Sequence, residues 1–514
     1  MKEIKVLCVK TALCFLAAGS FISPIAAQQG RASSSAMQGF PALEATPRAH
    51  DHARRVALNN VHWRDLAEAS LWASSFNAGP GAEERAAAYM DRINAAVEEL
   101  AAAGLPQNSK ERGEQVLEFL HRRFLRSYSE YQTRVDEIFI SGRYNCVSSA
   151  VLYMVLGLSV GLDVEGVMTK DHAFVTVNTG TERTDVETTN RYGFDPGNRK
   201  EFHDAFGRTT GFAYVSARNY RDRAAISGAE LVSLIFSNRI AVLERGNRFA
   251  EAVPLAINRT VFLTGGGTGN TAVAQNVPHK TEFFEDPRKD MMNRLFNLGA
   301  HFIRTGKEDE AIAWAEYAGE HFPDPQRWQE MIKAAANNKL VKLIRARKAS
   351  EARSALTAVK PKLNNENYLE LDTLVIEAEA ADKVNTVRNP GDAETALAFI
   401  AQVWERLPPG RRNEMRIAAI LAEADRLGRA RNWSGGMRWL EGAMEKYGVN
   451  TRLESALRTM RQNRISELHN EFAALFNRRE YEQAKASIQR SLLEFPGERQ
   501  LVQDLNMVER ALRQ

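Results

Sequence analysis

Residues 146–160, CVSSAVLYMVLGLSV, are apolar almost all the way round, and this run constrains the fold more than any other stretch. A helix with no polar face has to be enclosed on every side, so the run predicts a buried helix, closed by Gly161. From about 62 to 131 the chain reads as helical. Trp63, Leu66, Ala67 and Leu71 start one amphipathic stretch; Tyr89, Ile93, Ala96, Val97 and Leu100 keep the rhythm of a second; Val116, Leu117, Phe119, Leu120 and Phe124 begin a third. Beyond the apolar run come short β-rich segments at 164–168, 173–177 and around 184–188, the last two separated by an Asn178-Thr179-Gly180 turn. Helices, one buried helix, then consecutive strands make an α+β arrangement rather than a βαβ alternation.

The start of the chain reads as an export signal. Lys2, Lys5 and Lys10 precede an apolar stretch from Thr11 through Ala18, which resumes at Phe21; Pro24, Ala26 and Ala27 then lead into Gln28-Gln29. Cleavage is expected near Ala27, giving a periplasmic or secreted protein with no membrane span. An uncleaved anchor is the competing reading, but Gly19 and Pro24 break the apolar part and it is short. Cys8 and Cys14 lie in the signal, so Cys146 is the only thiol of the exported chain and has no internal disulfide partner. It is either buried and inert or reactive. The net charge is +4, of which the signal carries +2, and no dense basic block or aromatic-basic interleaving speaks for nucleic acid.

At 514 residues the chain has room for about three domains at ~150 residues each. The expected division is a signal at 1–27, a flexible leader at 28–60 and an α+β domain at 61–225. A helical extension at 226–263, a Gly-rich linker at 264–286 and a helical region at 287–514 follow. The linker holds Thr264-Gly265-Gly266-Gly267-Thr268-Gly269-Asn270; a phosphate-binding loop would need a Gly-Lys-Ser/Thr that is not there. In the last region Leu298, Gly299, Phe302, Gly306, Ala311, Ile312, Ala315 and Pro323 follow the spacing of a tetratricopeptide unit. Phe472, Phe476, Tyr481, Ala484, Ile488 and Pro496 repeat much of it. Weaker copies lie near Ala352, at 393–408 and at 433–444, and Asn238, Leu243, Phe249, Ala252 and Pro254 form a candidate first copy.

Cys146 sits where a loop becomes the buried helix. Asn145 is a favoured N-cap residue, which places the thiol in the first helical turn, where the helix dipole favours thiolate and free N–H groups can hold an oxyanion. A nucleophilic thiol needs a base. His172, 26 residues on, opens a strand, since Ala173, Val175 and Val177 alternate with Phe174 and Thr176. The next strand, 184–188, carries Asp185 and Glu187 on one face, and either carboxylate can orient the imidazole. Tyr144 and Asn145 are the candidates for completing the oxyanion hole. His50 and His52 fall in the leader and form a weak two-His metal site at best; His121, His203 and His301 read as surface or satisfied structural residues.

The blocks GRYNCVSSAVLYMVLGLSVGL, KDHAFVTV and TDVETTN, spanning roughly 140–200, resemble the transglutaminase-like superfamily in order and spacing. The resemblance implies an α+β transglutaminase-like, papain-like thiol fold, followed by an all-α tetratricopeptide-like region. Residue by residue, it implies Cys146 as nucleophile, His172 as base and Asp185 as the orienting acid, with Glu187 the alternate. It departs from the family at Phe174, where Trp is usual, and in a reduced Gly-rich lead-in at Ser141-Gly142-Arg143-Tyr144. The implied activity is thiol-dependent acyl transfer on a peptide, protein or cell-wall amide, with hydrolysis favoured over true transglutaminase cross-linking. No cofactor or metal is implied. The alternative is an inactive scaffold whose helical repeats bind a partner protein.

Overall fold

The structure is a computed structural model describing residues 39–56, 61–170, 172–180, 182–197, 199–210, 223–265 and 286–513. Residues 1–27, expected to be an export signal, most of the Gly-rich stretch and part of the expected leader lie outside the described residues. The first ten helices and strands build the surroundings of the apolar run. They are α1 (Pro47–Val56), α2 (Trp63–Ser75), α3 (Ala82–Ala102), α4 (Ser109–Arg123), β1 (Ser127–Tyr128), α5 (Val135–Ser141), β2 (Arg143–Tyr144), α6 (Cys146–Ser159), β3 (Asp163–Met168) and β4 (Ala173–Asn178). Then come β5 (Arg183–Val186), α7 (Lys200–Thr210), β6 (Ala224–Ile226), α8 (Gly228–Arg245) and α9 (Phe249–Thr264).

Helix α6 is the apolar run, buried from Cys146 to Gly157. Helices α2, α4, α5 and α8 pack around it, and β3 and β4 close the remaining side. The four antiparallel strands run in the order β5-β4-β3-β6, and β1 pairs in parallel with β2. Tyr153, fully buried on α6, donates its hydroxyl to the Gly113 carbonyl at 2.9 Å and ties α6 to α4.

These strands are too short to make an α+β domain. Helix accounts for 73% of the structure and strand for 6%, so the expected α+β transglutaminase-like, papain-like domain followed by an all-α repeat region is not the architecture found. The chain is a mostly helical protein carrying two small sheets. Residues 41–514 form one compact unit. Helices α9 and α10 (Pro287–Arg304) pack directly on each other. There Arg259 meets Asp290 at 3.1 Å with both side chains buried, Thr260 donates to the Pro287 carbonyl at 2.9 Å, and Arg294 bridges Asp290 and Glu244.

The flexible leader is also corrected over its second half. Ala49, His52, Ala53 and Val56 form the buried stripe of α1, and the Thr46 backbone N–H bonds Asn258 at 2.9 Å. His52 stacks on Trp72 at 5.0 Å, and burial pushes its pKa down to about 4.

From α8 onward the helices come as antiparallel pairs: α8 with α9, α10 with α11 (Glu308–His321), α12 (Pro325–Arg345) with α13 (Ala349–Val359), and α14 (Asn365–Asn385) with α15 (Asp392–Gln402). Then follow α16 (Pro409–Arg429) with α17 (Trp433–Tyr447), α18 (Thr451–Asn477) with α19 (Tyr481–Glu494), and last α20 (Arg499–Arg513). Five of the pairs share one turn. Its left-handed residue is Asn247, Gly306, Arg347, Arg431 or Arg479. In each, the next N–H bonds the carbonyl five residues back: Arg248 to Leu243, Lys307 to Phe302, Lys348 to Leu343, Asn432 to Leu427 and Glu480 to Leu475, all at 2.8–3.1 Å. Five residues after the left-handed position stands Ala252, Ala311, Ala352, Gly436 or Ala484, each buried where the two helices approach. Arginine in this conformation is strained by ~1 kcal/mol relative to Gly. Replacing exposed Arg347 by Gly is therefore expected to raise the unfolding free energy by about 1 kcal/mol in urea titration.

Candidate active site

The N-terminus of α6 is fixed from two directions. The Asn145 side chain accepts the Ser148 N–H at 3.0 Å, and the Ser148 hydroxyl accepts the Asn145 N–H at 3.0 Å, a reciprocal capping box. The loop 129–134 docks against it: Asn145 Nδ2 donates to the Glu130 carbonyl at 3.1 Å, and the Ser148 hydroxyl to the Gln132 carbonyl at 3.2 Å. Cys146 is the first residue of α6 and 9% exposed, so its sulfur lies at the mouth of the helix rather than in its apolar middle. The capping box uses the Ser148 N–H and the first intrahelical bond uses that of Ser149. The N–H groups of Cys146 and Val147 face the first turn with no partner among the described residues.

His172 comes from the turn that joins β3 to β4, where its carbonyl accepts the Thr169 N–H at 2.9 Å. Its Nε2 is 2.6 Å from Glu187 Oε2. Cys146 is a near enough neighbour of the ring to help raise its pKa. Burial alone disfavours the imidazolium. The Glu187 charge, hydrogen bonds to Cys146 and Glu187, and the charge on Cys146 outweigh it, raising the His172 pKa well above its ordinary value. Phe174 stacks on the ring at 6.1 Å and Phe206 meets it edge-on at 6.2 Å. Exposure falls from ring to acid: the His172 side chain is 14% exposed, that of Glu187 3%.

Of the two carboxylates, the structure brings Glu187 to the ring and not Asp185. Strand β5 ends at Val186, so the two acids do not share a strand face as the alternation predicts. Asp185, opposite Thr176 on β4, forms a two-pronged ion pair with Arg223, whose guanidinium lies 5.1 Å over the Phe174 ring. Glu187 begins a turn that folds back on itself, its N–H donating to the Gly193 carbonyl at 2.8 Å. Its Oε1 accepts the Thr189 hydroxyl at 2.7 Å and the Thr189 N–H at 3.3 Å. The turn is clamped to the helix mouth: the Thr188 and Ser149 hydroxyls are 2.8 Å apart, Tyr144 donates to the Thr189 carbonyl at 3.1 Å, and His121 Nε2 donates to the Thr188 carbonyl at 3.0 Å. Burial pushes the His121 pKa down to about 4, so it serves this bond as a neutral ring.

Both expected oxyanion side chains are committed elsewhere: the Tyr144 hydroxyl to Thr189 and the Asn145 amide to Glu130. Sequence reading missed Ser149, Thr188, Thr189 and His121, which carry the acid to the ring; the Thr-Thr directly after Glu187 was the available signal. Among the described residues there is no cluster of His, Cys, Asp and Glu able to hold a metal ion, and no helix long and apolar enough to cross a membrane. The chain matches no family model, no characterised protein sequence and no solved structure.

Proposed function

We propose that this chain is a thiol-dependent acyl-transfer enzyme working through Cys146, His172 and Glu187. The observation that carries the reading is the convergence of sulfur, imidazole and buried carboxylate at one helix mouth. In the proposed cycle the Cys146 thiolate attacks an acyl carbonyl carbon, forming a C–S bond and an oxyanion. His172 then gives its proton to the departing amine as the C–N bond breaks, leaving a thioester. Water, deprotonated by His172, releases the acid; an amine in its place would give cross-linking. Glu187 holds the ring and supports its positive charge. The order of thiol, imidazole and acid along the chain is similar to that of the transglutaminase-like superfamily, and the likeness is proposed at the level of the site. A peptide or cell-wall amide is the proposed substrate class, with hydrolysis as the outcome in an exported protein. The paired helices beyond the site are proposed to bind a protein partner.

Alkylation by iodoacetamide tests the site, read by mass spectrometry on the peptide containing Cys146. An unassisted thiol is only about 0.3% ionised at pH 6. A thiolate held by an imidazolium is expected to react roughly 10²-fold faster there, and His172→Ala to remove that advantage. Equal, slow labelling of both proteins would leave only the second reading, an inactive scaffold in which the helix pairs carry the function.

A further inference from the structure

The proposed cycle needs a side-chain donor for the oxyanion; the Tyr144 hydroxyl is taken by the Thr189 carbonyl and one Asn145 amide hydrogen by the Glu130 carbonyl. Strand β1 brings another phenol to the same place. Its parallel register sets Tyr128 opposite Tyr144, two residues before Cys146, and the Ser129 N–H bonds the Tyr144 carbonyl at 2.8 Å. The Tyr128 and Tyr144 rings meet edge to face at 6.0 Å. Tyr144 and Tyr153 each donate to a backbone carbonyl. The half-buried Tyr128 hydroxyl makes no hydrogen bond to any described residue. A partly desolvated hydroxyl left without a partner beside a reactive group is suited to a partner that forms during reaction. Burial, with the charges of Cys146, Glu130 and Glu187, pushes the phenol's pKa up, so it stays a protonated donor at neutral pH.

We infer that the Tyr128 hydroxyl, together with the Cys146 N–H, donates to the oxyanion formed when Cys146 attacks an acyl group. This inference rests on the thiol-enzyme reading above.

Two reactions of the same sulfur separate the roles. Iodoacetamide alkylation displaces iodide at an sp³ carbon and develops no oxyanion at a carbonyl. Acylation by p-nitrophenyl acetate passes through a tetrahedral oxyanion before nitrophenolate leaves. Tyr128→Phe is expected to lower the acylation rate about 10²-fold while leaving alkylation within about twofold of wild type. Unchanged acylation overturns the inference. So does a parallel fall in both rates, which marks Tyr128 as structural support only. A wild-type protein that acylates no faster than its Cys146→Ser variant overturns the enzyme reading itself, and this inference with it. Retention of the split in the intact, folded variant, checked by circular dichroism, supports it.

Discussion

Glu187→Gln is expected to slow acylation of Cys146 by about 10³–10⁴-fold and its alkylation at pH 6 by up to about 10²-fold, whereas Asp185→Asn slows both less than about tenfold. Glu187 is the carboxylate 2.6 Å from the imidazole, and its charge is the largest of the effects that raise the His172 pKa. A neutral amide removes that support and leaves the opposing burial in place. The ring then loses its proton at lower pH, so the alkaline limb of the rate profile moves toward acid. The stability linkage has the same origin. In the wild type the folded pKa lies above the unfolded value of ~6.5. The protonated ring's contribution is therefore fully present below about pH 6.5 and lost as pH rises through the folded value. In Glu187→Gln the folded pKa falls and this contribution shrinks. Asp185 holds Arg223 over Phe174 and touches the ring only through that stack. A collapse of activity in Asp185→Asn with a mild effect of Glu187→Gln would reverse the assignment of the orienting acid.

That choice between two acids marks where the sequence stops being legible. The helix mouth could be read because its signals are local: Asn145 as cap, Cys146 as first residue, and an apolar run that has to be enclosed. The placement of His172 just before β4 follows from the alternation after it. The acid depended on where β5 ends. Strand period puts Asp185 and Glu187 on one face, but the chain leaves the sheet after Val186, and the turn alone aims Glu187 at the ring. Nothing local announces that turn, since its hydrogen bonds run to Ser149, Tyr144 and His121, 39 to 67 residues away.

The architecture was misread for a related reason. The three β-rich runs point to a sheet domain, although their strands span only six, six and four residues and most of what surrounds them is helix. The paired helices were legible where the turn carries Gly306 or Arg479 and faded where Arg347 or Arg431 takes the same left-handed conformation. Residue identity at that position hides a backbone geometry that the five-residue hydrogen bond and the following small residue preserve.

Gly193→Ala is expected to destabilise the protein by about 3 kcal/mol and to reduce Cys146 acylation nearly as far as Glu187→Gln. A Cβ at this position would stand 1.9 Å from the Glu187 carbonyl oxygen, 2.8 Å from its carbon and 2.9 Å from the Asn190 oxygen. All three are backbone atoms, so no side chain can swing aside, and the turn has to open. Opening it breaks the bonds from the Glu187 N–H to the Gly193 carbonyl and from the Gly193 N–H to the Asn190 carbonyl. It also exposes Thr188 and Thr189, both fully buried. Because Thr189 holds the carboxylate that holds the ring, one added methyl acts on stability and chemistry together. Gly197→Ala is the control: the nearest atoms to its Cβ are 3.8 Å away, and neither quantity should move. Urea unfolding gives the first and the acylation rate of folded protein the second. A Gly193→Ala protein that loses stability but acylates at the wild-type rate would show that the turn is not what keeps Glu187 against His172.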